Sequence, residues 1–392
     1  MGNIDQIKIN VWRNEMKVLF LVFRDIKNPS SVGGDYYLWE LAKGLHALGN
    51  DVIVLCNKFK GSRNREKIDG IQVIRLRGLL ALPLKILQTY FKEFKGKCDI
   101  IIEEAIGGQR FPYFAGLYIK EPLIAIWHQK HEKIFYEQYP YPIAVFLVLI
   151  EKTLAIIYRK RIIVTPSKGA KQILLTLGFS SKNIKVVNDG IGKAFQNPNS
   201  NRIRSNVIVC LGKLRRYKRF DQAISTFKVV RKYLNKDYKL VIAGKISEID
   251  SNYLAFLKQF AKKLGVENWV ELRTNISEDE KLELLEYSKA LLQPAPIEGF
   301  SIVVAEANRC GTPVVVSDGV PGDVVKDGYN GFVYHFGDID ASAEQLAKIL
   351  NNKDLWKKMS INAINWSKQF TWEKSSLVLH NYLNELCNQQ SK

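Results

Sequence analysis

Cysteines are few in this sequence, and they follow no pattern. The 392 residues include five cysteines, with no Cys-x-x-Cys pair and no spacing typical of zinc ligands. They are Cys56, Cys98, Cys210, Cys310 and Cys387. An odd and scattered set excludes a disulfide-rich secreted scaffold and indicates reduced thiols, which are typical of a cytoplasmic protein.

Long hydrophobic runs are absent as well. The longest uncharged apolar run in the middle of the chain, residues 142–150, is far below the roughly 20 residues needed to cross a bilayer. The polar residues 1–16 contain no apolar stretch typical of a secretory signal peptide. We therefore expect a cytoplasmic protein without membrane-spanning segments, at most peripheral on the inner face of the membrane.

Acidic residues are scarce relative to basic ones, which gives the chain a net charge of +19. The excess is uneven: residues 1–200 carry 30 Lys and Arg against 17 Asp and Glu, and the remainder carries 28 against 22. Residues 58–97 alone hold eleven basic and three acidic side chains. A basic first half predicts an anionic partner, and charge leaves membrane phospholipid, a lipid diphosphate and nucleic acid as alternatives.

What the sequence does contain is a regular alternation of apolar strands and amphipathic helices. The first predicted strand is Lys17–Arg24. A loop with Gly33 and Gly34 follows, and then a helix that begins at Asp35. A second series of the same kind begins with an apolar strand at Val207. Repeated strand–helix–strand units predict an α/β fold with two Rossmann-like, doubly wound parallel sheets.

The two series are separated by residues 193–205, whose Asn, Ser and Pro content is typical of a linker. A chain of this length also exceeds what one hydrophobic core usually serves. We predict a first domain over residues 1–195, a second domain over residues 204–371, and a C-terminal helix at about 372–392 that crosses back onto the first domain. Two such domains place a ligand cleft at the carboxyl ends of their strands.

Two glutamates eight residues apart follow an apolar strand: Glu298 lies in the loop after it, and Glu306 lies inside a helix predicted over residues 301–309. Gly299 and Ser301 lie at the amino end of that helix, where free N–H groups suit a diphosphate. Glu298 is placed to accept hydrogen bonds from sugar hydroxyls, and a ribose diol suits the carboxylate of Glu306. An isolated pair of this kind is more often without function, with Glu298 a solvated loop acid and Glu306 a surface helix acid, and only the surrounding segment favours a binding role.

Several segments together resemble retaining glycosyltransferases of family 4. Residues 296–318 resemble the Glu-x7-Glu motif EGFGLxxxEAMACGxPV of that family, and residues 319–338 resemble GGxPEVVxDGxNGxLVxPGD. Residues 186–191 and 211–219 resemble VxPNGI and GRLxxxKG, and the two glycines after the first strand resemble a pair near the donor phosphates. The resemblance covers nearly the whole chain and implies the GT-B fold, in which two Rossmann-like domains face a central cleft.

The resemblance also implies an activity and the residues for it. Family members move a sugar, here of hexosyl type, from a nucleotide-sugar such as a UDP- or GDP-sugar to an acceptor, with retention of anomeric configuration and without a metal or other cofactor. It implies that Lys218 neutralises the donor diphosphate, Glu306 holds the ribose, and Glu298 contacts the transferred sugar. The implied catalytic residues are Glu298, His128 and Lys218. The implied donor-binding residues are Gly33, Gly34, Gly212, Lys213, Lys218, Glu298, Gly299, Phe300, Ser301 and Glu306.

His128 stands where family members often carry a histidine that faces the sugar, although a plain loop histidine remains the alternative. His131, three residues further, invites a zinc site, but no carboxylate or cysteine completes a ligand set convincingly. We therefore predict no metal.

Some positions depart from the family pattern. Lys213 replaces an arginine, which keeps the charge but loses bidentate phosphate binding. Arg219 replaces a glycine, Asp189 interrupts the usual Pro-Asn-Gly, and Gly322-Asp323 replaces Pro-Glu. These departures bear on donor preference and on the geometry around the diphosphate.

The first domain has features that suit an amphiphilic acceptor. Residues 82–97 are predicted to form a basic amphipathic helix, and residues 135–152 add aromatic side chains beside an apolar stretch. The apolar side of the helix is predicted to carry Leu84, Leu87, Phe91 and Phe94. Such a helix suits a peripheral contact with an anionic membrane and a lipid-linked or growing glycan as acceptor. The alternative is that its apolar side packs on the core of the first domain.

Other classes of function remain open at this point. A sugar-nucleotide epimerase can share the architecture, although the Glu-x7-Glu segment argues against it. A nucleic-acid-binding protein would account for the charge, but no signature of a helix-turn-helix, zinc finger or RNA-recognition motif is present, so nucleic acid is not the expected partner. A sugar-nucleotide sensor without catalysis is disfavoured by the intact glutamates and Lys218.

Overall fold

The computed structural model of the protein describes residues 15–31, 33–78, 80–106, 112–199, 202–246 and 250–390. Within these residues, the strands form two sheets, one of eight and one of six strands. Every neighbouring pair of strands in them is parallel except β3 and β4. The predicted α/β class with two parallel sheets is confirmed.

The first sheet has the strand order β3-β4-β2-β1-β5-β6-β7-β8. Its strands are β1 Lys17–Leu21, β2 Asp51–Asn57, β3 Arg65–Ile68, β4 Ile71–Leu76, β5 Ile100–Ile106, β6 Leu123–Trp127, β7 Ile162–Thr165 and β8 Ile184–Val186. Its helices are α1 Gly33–Ala47, α2 Leu82–Thr89, α3 Glu132–Gln138, α4 Tyr141–Ile157 and α5 Lys168–Leu175. The central strands are apolar runs because both of their faces are covered: α1 packs on one face, and α2, α4 and α5 pack on the other.

The second sheet has the strand order β11-β10-β9-β12-β13-β14. Its strands are β9 Val207–Leu211, β10 Lys239–Gly244, β11 Val270–Thr274, β12 Ala290–Gln293, β13 Val314–Ser317 and β14 Gly331–Tyr334. Its helices are α6 Phe220–Val230, α7 Ser251–Lys263, α8 Glu278–Tyr287, α9 Ile302–Arg309, α10 Ile339–Asn351 and α11 Lys353–Ser367. Ser277 begins α8 with a capping box, in which its side chain and that of Glu280 each accept a backbone N–H of the other.

The last helix, α12 (Trp372–Gln390), follows the second sheet in sequence but packs on the first domain. Its Leu379 and Leu383 are fully buried in the same core as the inner face of α1. The two helices approach so closely that a methyl group on Gly44 would lie 1.8 Å from Oγ of Ser376. The glycine is therefore a requirement of this helix crossing.

Direct hydrogen bonds join the two domains beside the cleft. The Ser167 hydroxyl, just before α5, donates to the Gly299 carbonyl over 2.5 Å. The carboxylate of Asp323 in the second domain accepts the backbone N–H groups of Lys168 (3.0 Å) and Gly169 (3.4 Å) in the first turn of α5. Asp323 stands where the family has a glutamate, and here it caps a helix of the opposite domain.

Some elements differ from the sequence-based prediction. Gly33 and Gly34 form the first turn of α1 rather than a preceding loop. The helix predicted over residues 82–97 is α2 followed by a π-helical turn, Tyr90–Phe94. The strands β3, β8 and β14 and the helix α11 were not predicted.

The predicted apolar side of that helix is wrong at Leu84 and Phe91 and correct at Phe94. The side chains that pack into the core are Leu82, Ile86, Tyr90 and Phe94, whereas Leu84 and Phe91 are 63% and 47% exposed. The buried side chains are spaced four residues apart. In an α-helix of 3.6 residues per turn such a spacing moves gradually around the helix, and the π-helical turn brings Tyr90 and Phe94 back to the core.

None of the helices in the described part of the chain combines the length and hydropathy that a bilayer crossing requires.

Candidate functional site

The candidate site is the cleft at which the carboxyl ends of the two sheets meet. From the first domain it receives the start of α1, the segment after β6 and the segment after β8. The second domain contributes the segment after β9 and the loop between β12 and α9. The two sides touch: a methyl group on Gly299 would lie 2.7 Å from the carbonyl oxygen of His128.

Glu298, in the loop after β12, is held by two donors. Its Oε1 accepts Nζ of Lys218 over 2.5 Å and Nε2 of Gln293 over 3.0 Å. Burial alone would lower the pKa of Lys218, but the Glu298 carboxylate outweighs it and the pKa is raised. Lys218 is therefore a fixed cation at the cleft, and Glu298 is oriented rather than a solvated loop acid.

Glu306, on α9, forms the second lysine–glutamate pair. Its side chain is 3% exposed, and Oε1 accepts Nζ of Lys281 from α8 over 2.9 Å. Burial raises the pKa of Glu306 to about 6, although Lys281 acts in the opposite direction. The other oxygen, Oε2, is enclosed and has no hydrogen-bond partner among the described residues. Glu306 is thus a buried acid with one acceptor still available, not a surface helix acid.

Asp189, which replaces the usual asparagine after β8, lies beside the same acid. It is half-buried, and its Oδ1 is enclosed without a hydrogen-bond partner in the described part of the chain. Burial, and then the Glu306 carboxylate, raise the pKa of Asp189 to about 8. At neutral pH the Asp189 carboxyl is therefore protonated and able to donate a hydrogen bond.

His128, after β6, faces the start of α1. A methyl group on Gly34 would lie 3.2 Å from its Nε2, so the absence of a side chain at Gly34 makes room for the ring. The ring also packs edge-on against Tyr37, with centroids 5.3 Å apart. Burial, and then His131, lower the pKa of His128 to about 4, so the imidazole is neutral at pH 7. Its enclosed Nε2 has no partner among the residues described.

Cations from both domains gather around Lys213, in the segment after β9. Burial, and then the charges of Arg215 and Arg24, lower the pKa of Lys213 to about 8. Arg24 comes from the loop after β1, where its Nε lies 2.9 Å from Oδ2 of Asp35. Gly212, beside Lys213, has a φ of 154°, and a methyl group there would lie 4.0 Å from Cε of Lys218. Like charges placed so closely favour a bound anion between them.

The start of α9 closes the second-domain side. Ser301 has the left-handed φ of 70°, caps no N–H with its side chain, and leaves its enclosed Oγ without a partner in the described residues. Such strain in a serine is typical of functional loops. The Phe300 side chain is 3% exposed and packs on Phe370 in the core, so only its backbone faces the cleft region.

Several residues of the candidate site carry an enclosed polar atom without a partner in the described part of the chain. Enclosed atoms of His128, Asp189, Gln293, Ser301 and Glu306 all lack a hydrogen-bond partner within the described residues. Buried polar groups are normally paired, because an unpaired one costs about 1–3 kcal/mol. Their gathering around two lysine–glutamate pairs fits a polar ligand that carries both hydroxyls and negative charge.

Comparison with known families agrees with this geometry. One family model, Glycosyltransferase Family 4, matches residues 32–194, and a second, Glycosyl transferases group 1, matches residues 193–366. The two matches meet between the sheets and together cover most of the chain. The chain belongs to glycosyltransferase family 4.

Curated proteins resemble this chain over part of its length and part of their own. It is 24% identical to a D-inositol 3-phosphate glycosyltransferase of Corynebacterium aurimucosum over 235 residues, 56% of this chain and 55% of that protein. An uncharacterized glycosyltransferase of Methanocaldococcus jannaschii is 28% identical over 155 residues, 37% of this chain and 44% of that protein. The chain thus spans about half the length of these curated relatives.

Solved structures share the fold over nearly the whole glycosyltransferase. Sucrose-phosphate synthase from Thermosynechococcus elongatus has a TM-score of 0.78 at 16% identity and covers 96% of this chain and 100% of that chain. HepE from Anabaena, in complex with UDP-glucose, has a TM-score of 0.71 at 16% identity, over 96% and 100%. WaaG, a glycosyltransferase involved in lipopolysaccharide biosynthesis, has a TM-score of 0.71 at 15% identity, over 93% and 99%. The predicted GT-B fold is confirmed.

Two residues of the candidate site were missed by sequence reasoning, and both are hydrogen-bond partners of a predicted residue rather than members of a motif. Lys281 is 25 residues from Glu306 and belongs to a helix that reads as a charged surface helix. Gln293 ends an apolar strand and shows no motif. For Gln293, the signal that could have revealed it is its position only five residues before Glu298. His131 lies apart: its ring stacks on Phe135, with centroids 5.5 Å apart, and its Nδ1 is 3.4 Å from Oε1 of Glu151.

Among the described residues, no group of three or more His, Cys, Asp and Glu side chains is arranged to hold a metal ion. That the glycosyltransferase needs no metal or other cofactor stays a prediction.

The raised pKa of Asp189 leads to a stability prediction. A carboxyl whose pKa is raised in the folded state destabilises that state once the pH exceeds about 3.9, its unfolded pKa, and the penalty grows up to the folded pKa near 8. We expect Asp189→Asn to raise Tm more at pH 8 than at pH 5, at about 2–4 °C for each kcal/mol. Thermal unfolding followed by circular dichroism measures this. Asp237→Asn, the same change at an exposed position, is the control, and an equal gain at both pH values would contradict the prediction.

Proposed function

We propose that the protein is a retaining hexosyltransferase that moves a sugar from a nucleotide-sugar to a lipid-linked or growing glycan acceptor. The observation that carries the proposal is the convergence, at one cleft, of two lysine–glutamate pairs and several unpartnered polar atoms. Glu306 and Asp189 offer an acceptor and a protonated carboxyl for a ribose, and Glu298 offers an oriented carboxylate for sugar hydroxyls.

The donor is proposed to place its diphosphate between the two domains. Lys213, Lys218 and the first N–H groups of α9 would surround it, and Arg24 would approach from the first domain. A solved structure of HepE contains UDP-glucose, which supports a nucleotide-sugar for this fold without naming the base or sugar used here.

In the proposed reaction the acceptor hydroxyl attacks the anomeric carbon on the face that the diphosphate leaves. The bond from the anomeric carbon to the diphosphate oxygen breaks as the bond to the acceptor oxygen forms, and the leaving diphosphate takes the hydroxyl proton. Lys213 and Lys218 stabilise the negative charge that develops on the leaving group. Because Glu298 already accepts from Lys218 and Gln293, we assign it to holding the sugar rather than to forming a covalent intermediate.

Glu306→Gln tests the nucleotide site. We expect this variant to bind UDP, GDP or ADP, whichever the wild type prefers, at least about tenfold more weakly, because one charge-assisted hydrogen bond to a ribose diol is lost. Titration calorimetry measures the affinity, and Glu344→Gln, on the exposed side of α10, is the matched control. Unchanged binding in Glu306→Gln would contradict the assignment of Glu306 to the nucleotide site. The anomeric configuration of the product, followed by NMR from the start of the reaction, tests retention separately.

The lowered pKa of Lys213 predicts a pH-dependent affinity. A bound diphosphate favours the charged amine, so binding takes up a proton near pH 8 and the affinity for UDP falls about tenfold between pH 7 and pH 9. Lys213→Arg, which restores the arginine usual in the family and keeps its charge, should remove most of this fall. Calorimetry at pH 8 in two buffers of different ionisation enthalpy counts the protons. An equal uptake in both proteins would show that another group is responsible.

The acceptor side of the proposal concerns an exposed apolar surface on the first domain, here called the outer face. Its members are large apolar side chains that lie 47–73% exposed: Leu84, Phe91, Leu117, Ile143, Phe146, Leu149 and Ile156. They belong to α2, the π-helical turn, a turn after β5 and α4, whose opposite sides pack into one core. The residues therefore share one side of the sheet.

The exposed charged side chains on the elements of the outer face are all basic. Its exposed charged side chains are Lys92, Lys95, Lys120, Lys152, Arg159 and Lys160. The two neighbouring acids are engaged within the protein: Glu93 pairs with Arg65 over 2.7 Å, and Glu121 accepts from Tyr90 and from the backbone N–H of Gly96. Apolar side chains ringed by lysine and arginine suit the surface of an anionic bilayer. This supports a peripheral position at the membrane, where a lipid-linked acceptor is found.

The membrane contact makes a separate prediction. We expect the wild type to float with vesicles that contain phosphatidylglycerol, and less with pure phosphatidylcholine or in high salt. Phe146→Ser combined with Leu149→Ser should weaken the binding at least about tenfold, because two apolar side chains no longer enter the lipid. Ile361→Ser, at a residue 60% exposed on α11 of the second domain, is the matched control. Equal flotation of all three proteins would reject the outer face as a membrane contact.

A further inference from the structure

A basic cavity of about 380 Å³ lies outside the cleft, between the ends of β2 and β4 and the helix α2. The charged residues that line it are Lys58, Arg65, Arg75, Arg77, Lys85 and Glu93. Five cations therefore face a single acid. A concave surface with an excess of positive charge concentrates anions. How much of that charge is available to a ligand depends on whether each cation is already paired with a carboxylate of the protein.

Two of the five cations are neutralised within the protein. Arg65 donates to both oxygens of Glu93 over 2.7 and 2.8 Å. Arg75 is fully buried and donates to both oxygens of Asp25 over 2.6 and 3.0 Å. Their charges are satisfied, and they serve as walls of the cavity.

The other three cations have only neutral partners in the described part of the chain. Nζ of Lys58 donates to Oδ1 of Asn64 over 2.5 Å, and Nζ of Lys85 donates to the backbone carbonyl of Arg77. No carboxylate among the described residues pairs with the exposed guanidinium of Arg77. Three positive charges thus remain uncompensated around one cavity.

The cavity opens at the same edge of the sheet as the donor cleft. Lys58 follows β2 and Arg77 follows β4, so both mark the carboxyl ends of parallel strands. β4 lies two strands from β1 in the sheet, a lateral distance of about 10 Å. The buried Arg75–Asp25 pair joins the cavity wall to the loop that carries Arg24. On the other side, Lys85 is adjacent to Leu84 of the outer face.

We propose that this cavity binds a phosphate-bearing group of the acceptor, an inference that rests on the proposed transferase function. Arginine and lysine with neutral partners give up little when a phosphate replaces those partners. The volume is within the range of small-ligand sites and suits a phosphate or diphosphate together with part of the acceptor molecule attached to it. The phosphate belongs either to a lipid or to a soluble acceptor. The cavity lies beside the outer face and opens at the same edge of the sheet as the donor cleft, so either kind of acceptor could reach it.

The experiment compares the wild type with the double variant Arg77→Gln/Lys85→Gln. Lys357→Gln/Lys358→Gln, two exposed positions on α11, removes the same charge and is the matched control. Inorganic diphosphate is titrated calorimetrically at saturating UDP, so that the donor site is filled. We expect the wild type and the control to bind diphosphate and the double variant to bind it at least about tenfold more weakly, with the affinity for UDP unchanged.

A second arm uses vesicles of phosphatidylcholine with phosphatidic acid, a phosphomonoester lipid. Weaker binding of both vesicles and diphosphate by the double variant supports a lipid-borne phosphate. Weaker binding of diphosphate alone supports a soluble one. Equal binding of diphosphate by all three proteins overturns the proposal. If the wild type binds no nucleotide, the transferase function fails instead, and diphosphate titrated without UDP still tests the cavity.

Discussion

Charge taken out of water must be matched by an opposite charge or by a proton, and the cleft of this protein is organised by that requirement. Glu298 is matched by Lys218, and Glu306 by Lys281. Asp189, beside Glu306, forms no salt bridge with a lysine among the described residues, and burial followed by the Glu306 carboxylate raises its pKa to about 8, which favours the protonated carboxyl. Both lysine–glutamate pairs belong to the second domain, and Asp189 comes from the first domain. The carboxyl of Asp189 therefore meets the paired acids only where the two sheets present their carboxyl ends to each other.

The same requirement explains why the domains are joined by polar contacts beside the cleft. Asp323 supplies a carboxylate to the uncapped N–H groups of α5, and Ser167 supplies a hydroxyl to the carbonyl of Gly299. Each contact satisfies a backbone group that faces the opposite domain. The cleft therefore has walls from both domains, whereas the two surfaces proposed for the acceptor, the outer face and the basic cavity, lie on the first domain alone.

The sequence predicted the long strands and the positions of Glu298, Glu306 and Lys218, because buried parallel strands are continuous apolar runs and the motif has fixed spacing. It did not predict Lys281 or the three-residue strand β8, since a partner distant in sequence or a very short strand leaves no periodic signal. The side of α2 that packs inward was also wrong: Leu84 and Leu82 fit a helical stripe equally well. In the structure Leu82 faces the core together with Tyr90 and Phe94 of the π-helical turn, and this turn has no signal in the sequence pattern.

The return of α12 to the first domain makes the order of synthesis matter. The ribosome releases the first sheet and α1 long before residues 372–390 emerge. The face of α1 that carries Tyr37 and Gly44, and that meets Trp372 and Ser376 of α12, therefore stays uncovered while the whole second domain is made. Domains usually fold in the order in which they are translated, but here the first can be completed only after the last. The nascent chain must keep that apolar face from aggregating during this interval, and a chain truncated after the second sheet would expose it permanently.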